Sequence, residues 1–356
     1  MSLPANRSLI SPTSNPLLER ALLGKLHKRS ETSGSLGELE PLSVRLGLIQ
    51  NTLKPRFTEP RLMLFAADHG LAVEGIVPPH QRQTHELVDL LLAGRLPISV
   101  FARLQELELT VVDAGMAENL PAHDGLLVRK IAHGTRNARV GAAMSIEQAH
   151  AAVRAGMEIG DTLGGNLLAC AGVGVGAHEA AALILSRLSE TPVRELLVSG
   201  PQMDADTLAR LLHITQSALA RHREISDPIE VLAAFGGFEI AMMVGVMLVA
   251  ASKRQLLMVD GMPAYAALML ASRIAVAVTD YCVFCRSHSH GGLTRALGLF
   301  RTSALLELGM DATDGTGATL AWPLLRSAAA MLTDVVEGED AGPSRPLPIL
   351  NDDIEG

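Results

Sequence analysis

Short apolar runs that end in glycine, several with an aspartate just ahead, recur along this chain and set most of what it can fold into. Arg61-Leu-Met-Leu-Phe-Ala-Ala leads into Asp68-His69-Gly70, residues 107–112 lead into Asp113 and Gly115, and residues 255–259 lead into Asp260-Gly261. Residues 166–175 form a further run that passes into glycines; shorter runs lie at 195–198, ending at Gly200, and at 275–284. Runs this apolar suit strands covered on both faces, so each is read as a buried parallel strand. Between them lie segments with helical spacing, at 86–103, 145–163, 179–189, 205–221, 236–251 and 264–274. Ser145 is the expected N-cap of one, with Gln148 at the capping-box position. Strands alternating with helices predict an α/β fold with a doubly wound, mostly parallel sheet, whose ligands bind beyond the carboxyl ends of the strands.

The 356 residues suffice for one large α/β domain with an accessory lobe. Aromatics make up only 3%, so the core must be aliphatic. The net charge of −8 lacks the basic footprint of a nucleic-acid binder, and no nucleic-acid partner is expected. A small anion remains compatible, because backbone N–H groups hold phosphate without a positive surface. The N-terminus shows no signal-peptide pattern. The apolar stretch 240–251 is too short to span a bilayer and reads as a buried helix, so no membrane association is expected. Three cysteines, Cys170, Cys282 and Cys285, form no disulfide framework and predict a reducing, cytoplasmic setting. Cys282 and Cys285 make a C-x-x-C, but it lies in an apolar run with no second pair to complete a zinc site.

Three segments carry candidate chemistry. Ala171-Gly-Val-Gly-Val-Gly-Ala-His-Glu joins a strand to a helix, and its glycines at 172, 174 and 176 let the backbone approach a ligand at a helix N-terminus. Glycines at strand–helix turns also serve packing, so phosphate binding and plain packing both remain open here. Leu308-Gly-Met-Asp-Ala-Thr-Asp-Gly-Thr-Gly-Ala places Asp314 beside Gly315 and Gly317. A buried carboxylate there is a candidate general base, and the alternative is that Asp311 or Asp314 merely caps the next helix. His288 and His290 are read as loop histidines, since no third ligand accompanies them, and no metal is expected.

The ordered motifs resemble those of the nicotinate-nucleotide:dimethylbenzimidazole phosphoribosyltransferase family. They are Gly34-Ser-Leu-Gly-Glu-Leu-Glu, Phe65-Ala-Ala-Asp-His-Gly, Val111-Val-Asp-Ala-Gly, Gly134-Thr-Arg-Asn, Ala143-Met-Ser, Gly236-Gly-Phe-Glu-Ile-Ala, Val259-Asp-Gly, Ser287-His and Asp314-Gly-Thr-Gly-Ala. The resemblance implies a Rossmann-like α/β domain over 56–304 and a small helical lobe from both chain ends, at 16–55 and 305–336. Residues 1–15 and 337–356 are expected to be flexible tails. It further implies a cytoplasmic homodimer that needs no cofactor. The reaction it implies moves phosphoribose from nicotinate mononucleotide to a benzimidazole-type base, giving α-ribazole 5′-phosphate and nicotinate. In that family a glutamate before Gly-Thr-Gly takes the imidazole proton, and the matching position here is Asp314.

Carried over position by position, the phosphate and nucleotide contacts fall on Gly174, Gly176, Ala177, His178, Gly200, Gly315 and Gly317. The acceptor-base contacts fall on Val77 and His85. Several positions depart from the family pattern. Its phosphate loop reads Gly-Glu-Met-Gly-Ile-Gly-Asn-Thr-Thr, whereas this chain has Gly172 for the glutamate and Ala177, His178 and Glu179 for Asn-Thr-Thr. A lysine position is Leu211, and a serine position is Val77. Arg82, Arg136, Arg286 and Arg295 are candidate replacement phosphate contacts. Two readings follow: a divergent phosphoribosyltransferase using Asp314, or a degenerate family member acting as a paralogous partner subunit or a binding or regulatory protein.

Overall fold

A computed structural model describes residues 10–76, 82–197, 203–287 and 291–336. In chain order the helices and strands are α1 (Pro16–Ser33), α2 (Leu39–Ile49), β1 (Arg61–Ala67), α3 (Thr84–Leu92), α4 (Pro97–Leu104), β2 (Glu108–Gly115) and β3 (Leu126–Val128). There follow α5 (Ile146–Thr162), β4 (Leu167–Val173), α6 (Ala177–Ser189), α7 (Val193–Leu196), α8 (Ala205–Arg221), α9 (Pro228–Phe235) and α10 (Phe238–Ser252). The last are β5 (Leu256–Val259), α11 (Met262–Ile274), β6 (Cys282–Phe284), α12 (Gly291–Leu299) and α13 (Thr316–Thr333).

The six strands form one sheet in the order β3-β2-β1-β4-β5-β6, and every neighbouring pair is parallel. This is the Rossmann order, which reverses between β1 and β4. All seven residues of β4 are buried, as are six of the seven in β1. The apolar runs therefore reflect cover on both faces. Among the helices, α10 is buried over almost its whole length, and this is the stretch expected to be a buried helix. No described helix is long and apolar enough to cross a membrane.

The chain divides into two compact units. Of the described residues, the larger holds 10–13 and 57–324, and the smaller holds 14–56 and 325–336. The segment 305–324, expected in the small lobe, thus packs with the sheet. Within the smaller unit, Leu22, Leu26, Val44, Met331 and Leu332 form a separate apolar core. Within the larger, the expected N-terminal tail is tied down before residue 14: the Tyr281 hydroxyl donates to the Ser11 carbonyl at 2.8 Å, and Thr13 N–H donates to Asp280 at 3.0 Å.

Three further expectations give way. The single helix over 86–103 is two, separated between Leu92 and Pro97, where a proline opens the second. The strand expected over 275–284 begins with a 3-10 turn, Val276–Tyr281, leaving only Cys282–Phe284 extended. Of the strand expected at 195–198, Glu195 and Leu196 lie in the short helix α7, begun after Pro192, and residue 198 lies outside the described residues. Short apolar runs are ambiguous in this way, because both structures bury them equally well.

Candidate active site

The turn after β4 meets the end of β1 at the point where the strand order reverses. Gly174 lies against the Ala67 carbonyl so closely that a β-carbon would overlap the oxygen. Thr84, at the start of α3, locks the two strand ends together. Its hydroxyl donates to the Asp68 carboxylate and accepts from Val175 N–H at 3.0 Å. Asp68 also accepts from Ala117 N–H at 2.7 Å, and His69 N–H donates to the Val175 carbonyl at 3.2 Å. Sequence reasoning did not single out Thr84, since a threonine at a helix start normally reads as a local cap.

Two amides of the glycine turn are thereby occupied. Val175 N–H is held by Thr84, and Ala177 N–H donates to the Gly174 carbonyl at 3.2 Å. The first turn of α6 remains, and no side chain caps it. It opens into a cavity of about 450 Å³ whose walls include Gly174, Gly176, His178, Glu179, Leu211 and Asp314. Helix amides and the dipole favour an anion there, while Glu179 opposes one.

Asp314 is buried at the opposite wall, on the loop before α13. It is not an N-cap. Arg286 Nη2 donates to its Oδ1 at 2.8 Å, and His178 Nε2 lies 3.0 Å from its Oδ2. The capping is done from a distance by Asp260, at the end of β5, whose Oδ2 accepts from Gly315 N–H at 2.7 Å and Gly317 N–H at 2.8 Å. The amides of Gly315 and Gly317 are therefore already occupied by a carboxylate. Gly261 makes room for this arrangement, since a β-carbon there would overlap the Asp314 carboxyl group.

Arg286 is buried at the centre. Its Nε donates to Asp260 Oδ1 at 2.9 Å, and Nη1 and Nη2 reach the carbonyls of Met310 and Ala312 at 3.0 and 3.1 Å. Burial works against its charge, but Asp260 and Asp314 outweigh that and raise its pKa. Burial raises the Asp260 pKa, with Arg286 pulling the other way. For His178, burial lowers the pKa, but the charge and hydrogen bond of Asp314, with Glu179 adding, raise it on balance.

A second buried ion pair lies beneath the glycine turn. His69 Nε2 is 2.8 Å from Glu239 Oε1, both side chains being almost fully enclosed. Again burial lowers the His69 pKa, and the charge and hydrogen bond of Glu239, with Asp68 and Glu179 adding, raise it on balance.

The site therefore gathers Gly174, Gly176, Ala177, His178, Asp314, Gly315 and Gly317 around one cavity and its supporting network. His85, in the first turn of α3, does not line the cavity. Val77, Gly200, His288 and His290 lie outside the described residues. Of the candidate arginines, Arg286 is inside but bound to carboxylates. Arg82 is exposed, Arg295 pairs with Glu195 at the surface, and Arg136 donates to the Ala142 carbonyl. All three cysteines are buried thiols, and burial raises the pKa of Cys170 and Cys285. Among the described residues, no group of three or more His, Cys, Asp or Glu is placed to hold a metal ion.

A Rossmann-ordered sheet with an uncapped helix start facing a buried carboxylate across a cavity has the features that suit an anionic small molecule, and a phosphoribosyltransferase family model matches residues 11–342. The nicotinate-nucleotide–dimethylbenzimidazole phosphoribosyltransferase of Janthinobacterium sp. (strain Marseille) is 37% identical over 339 residues, covering 94% of this chain and 98% of the relative. That of Cupriavidus taiwanensis is 40% identical over 340 residues, covering 95% and 98%. The crystal structure of the corresponding enzyme from Thermus thermophilus superposes with a TM-score of 0.85 at 32% identity, covering 93% of this chain and 100% of that one. The chain belongs to the nicotinate-nucleotide–dimethylbenzimidazole phosphoribosyltransferase family.

Proposed function

We propose that this chain transfers phosphoribose from nicotinate mononucleotide to a benzimidazole-type base, releasing nicotinate and α-ribazole 5′-phosphate for cobalamin lower-ligand synthesis. The observation that carries this reading is the buried Asp314 carboxylate facing the first turn of α6 across the cavity. The α6 amides hold the phosphate, and Gly174 and Gly176 let it approach the backbone. The lone pair of one acceptor nitrogen bonds to C1′ of the ribose. The bond from C1′ to the nicotinate nitrogen breaks, and its electrons leave with nicotinate. Asp314 takes the proton from the acceptor's other ring nitrogen. The close relatives carry the name of this reaction, and the Asp-Gly-Thr-Gly-Ala segment is intact.

We also propose that the chain works as a homodimer in the cytoplasm. Three buried cysteines that form no disulfide suit a reducing compartment. Light scattering on the purified protein tests the dimer. For the activity, purified protein is given nicotinate mononucleotide and 5,6-dimethylbenzimidazole, and nicotinate release is followed by chromatography. Release that disappears in Asp314→Asn is expected; a wild-type protein that releases none would overturn the reading.

A further inference from the structure

We propose that the cavity also takes the donor without its phosphate, a pyridine nucleoside such as nicotinate riboside, and that Glu179 is the residue that admits it. This rests on the phosphoribosyl-transfer reading, which puts the 5′ end of the donor at the first turn of α6. With Gly176 as N-cap, Glu179 is the third residue of that helix. Its carboxylate stands at the positive end of the dipole and offsets the charge that draws an anion. The side chain lines the cavity and makes no hydrogen bond or ion pair with any other described residue. It acts on His178 and His69 through space alone. Such a carboxylate is an open acceptor, which takes a hydrogen bond from a hydroxyl and repels a phosphate.

The rest of the wall adds no cation to outweigh it. Among the described residues that line the cavity, Glu179, Asp311 and Asp314 are carboxylates, His178 is an imidazole, and none is Lys or Arg. The Nε2 of His178 is already on Asp314 Oδ2 at 3.0 Å. Helix α8 contributes Thr207, whose hydroxyl donates to Asp204 at 2.8 Å, and the apolar Leu211. The internal segments 77–81, 198–202 and 288–290, outside the described residues, contain no Lys or Arg either. A 5′-hydroxyl meets this wall with one O–H to donate and no charge, whereas a 5′-phosphate brings a charge of about −1.5 to −2. The α6 amides still attract the phosphate, so both donors are used and Glu179 sets their ratio. The bonds made and broken are the same for either. The acceptor nitrogen's lone pair bonds to C1′, the bond from C1′ to the pyridine nitrogen breaks, its electrons leave with nicotinate, and Asp314 takes the acceptor's other ring proton. The nucleoside yields α-ribazole itself, with no phosphate consumed or released.

The test gives the full chain 5,6-dimethylbenzimidazole with nicotinate riboside or nicotinate mononucleotide, and nicotinate release is followed by chromatography. The kcat/KM for the nucleoside should lie within about tenfold of that for the nucleotide. Glu179→Thr loses the charged acceptor, so the nucleoside value should fall about tenfold while the nucleotide value rises. Glu179→Gln keeps an acceptor of the same reach without the charge. It should raise the nucleotide value and leave the nucleoside value within about threefold. Calorimetry with nicotinate riboside should show binding that weakens in Glu179→Thr in the same proportion as kcat/KM. A nucleoside left untouched by a protein that turns over the nucleotide, or used equally by the wild type and Glu179→Thr, would overturn the proposal and leave phosphoribosyl transfer in place. Release from neither donor, with nucleoside binding that still depends on Glu179, would remove the transferase reading and leave the nucleoside site standing. Release from neither donor and no such binding would overturn both.

Discussion

Arg286 is salt-bridged to Asp260 through Nε at 2.9 Å, and the same guanidinium reaches Asp314 through Nη2 at 2.8 Å. One cation thus fixes both the carboxylate that caps α13 and the carboxylate that faces the cavity. Replacing it with Met strands two buried carboxylates. A loss of about 3–5 kcal/mol is expected, read as a lowered urea midpoint with unchanged slope. Arg286→Lys keeps the charge without the fork and should recover only part of it.

The Thr84 hydroxyl links Asp68 to Val175 and so sets the position of the glycine turn. Thr84→Val keeps the shape and removes the link, leaving Val175 N–H without that acceptor. KM for nicotinate mononucleotide should rise about tenfold in steady-state kinetics, in keeping with a buried polar group left unpaired at about 1–3 kcal/mol.

Glu179 places a carboxylate in the turn of α6 that receives the anion. Glu179→Thr removes that repulsion, and KM for the nucleotide should fall about fivefold, corresponding to about 1 kcal/mol for partly screened charges. The gain should shrink as salt is raised. A KM that rises in this variant would mean that Glu179 contacts another part of the substrate.

Gly261→Ala puts a methyl group where the Asp314 carboxyl lies. The base must shift, and kcat should fall about a hundredfold while KM changes less. Comparing kcat with a thermal melt separates displacement of Asp314 from general unfolding.

Both His69 and His178 have pKa values raised by their carboxylate partners against the effect of burial. A base held more protonated in the folded state than in the unfolded one contributes its full stability below the unfolded histidine value. That stability is lost as pH rises through the higher folded value. Urea midpoints should therefore decline on going from mildly acidic to alkaline pH. His69→Gln should flatten the decline, and a wild-type midpoint that instead rises over this interval would contradict the assignment.

Much of the architecture was legible because its signals are local. The box of Ser145 and Gln148 appears as expected, Gln148 N–H donating to Ser145 Oγ at 3.1 Å. The expected helix over 205–221 is α8, with the Asp204 carboxylate accepting from Thr207 N–H at its start. The break between α3 and α4 was also written locally, in Gly94 and Pro97. The site was legible as a list of residues more than as an arrangement. Asp314 read as either cap or base because the true cap, Asp260, comes from another strand 55 residues away from Gly315. His178 read as a phosphate donor because its partner Asp314 is 136 residues away. Pairings at such separations depend on the closed fold, and no spacing rule along the chain encodes them.

The strand order has a consequence for how the site can diverge. The glycine turn hangs from β4 and Asp260 from β5, adjacent parallel strands whose backbones run about 4.8 Å apart, so both loops leave the same end of the sheet side by side. Main-chain pairing of those strands does not depend on what the loops carry. Divergence can exchange what each loop presents, as Ala177, His178 and Glu179 already illustrate, while the strands beneath them stay paired.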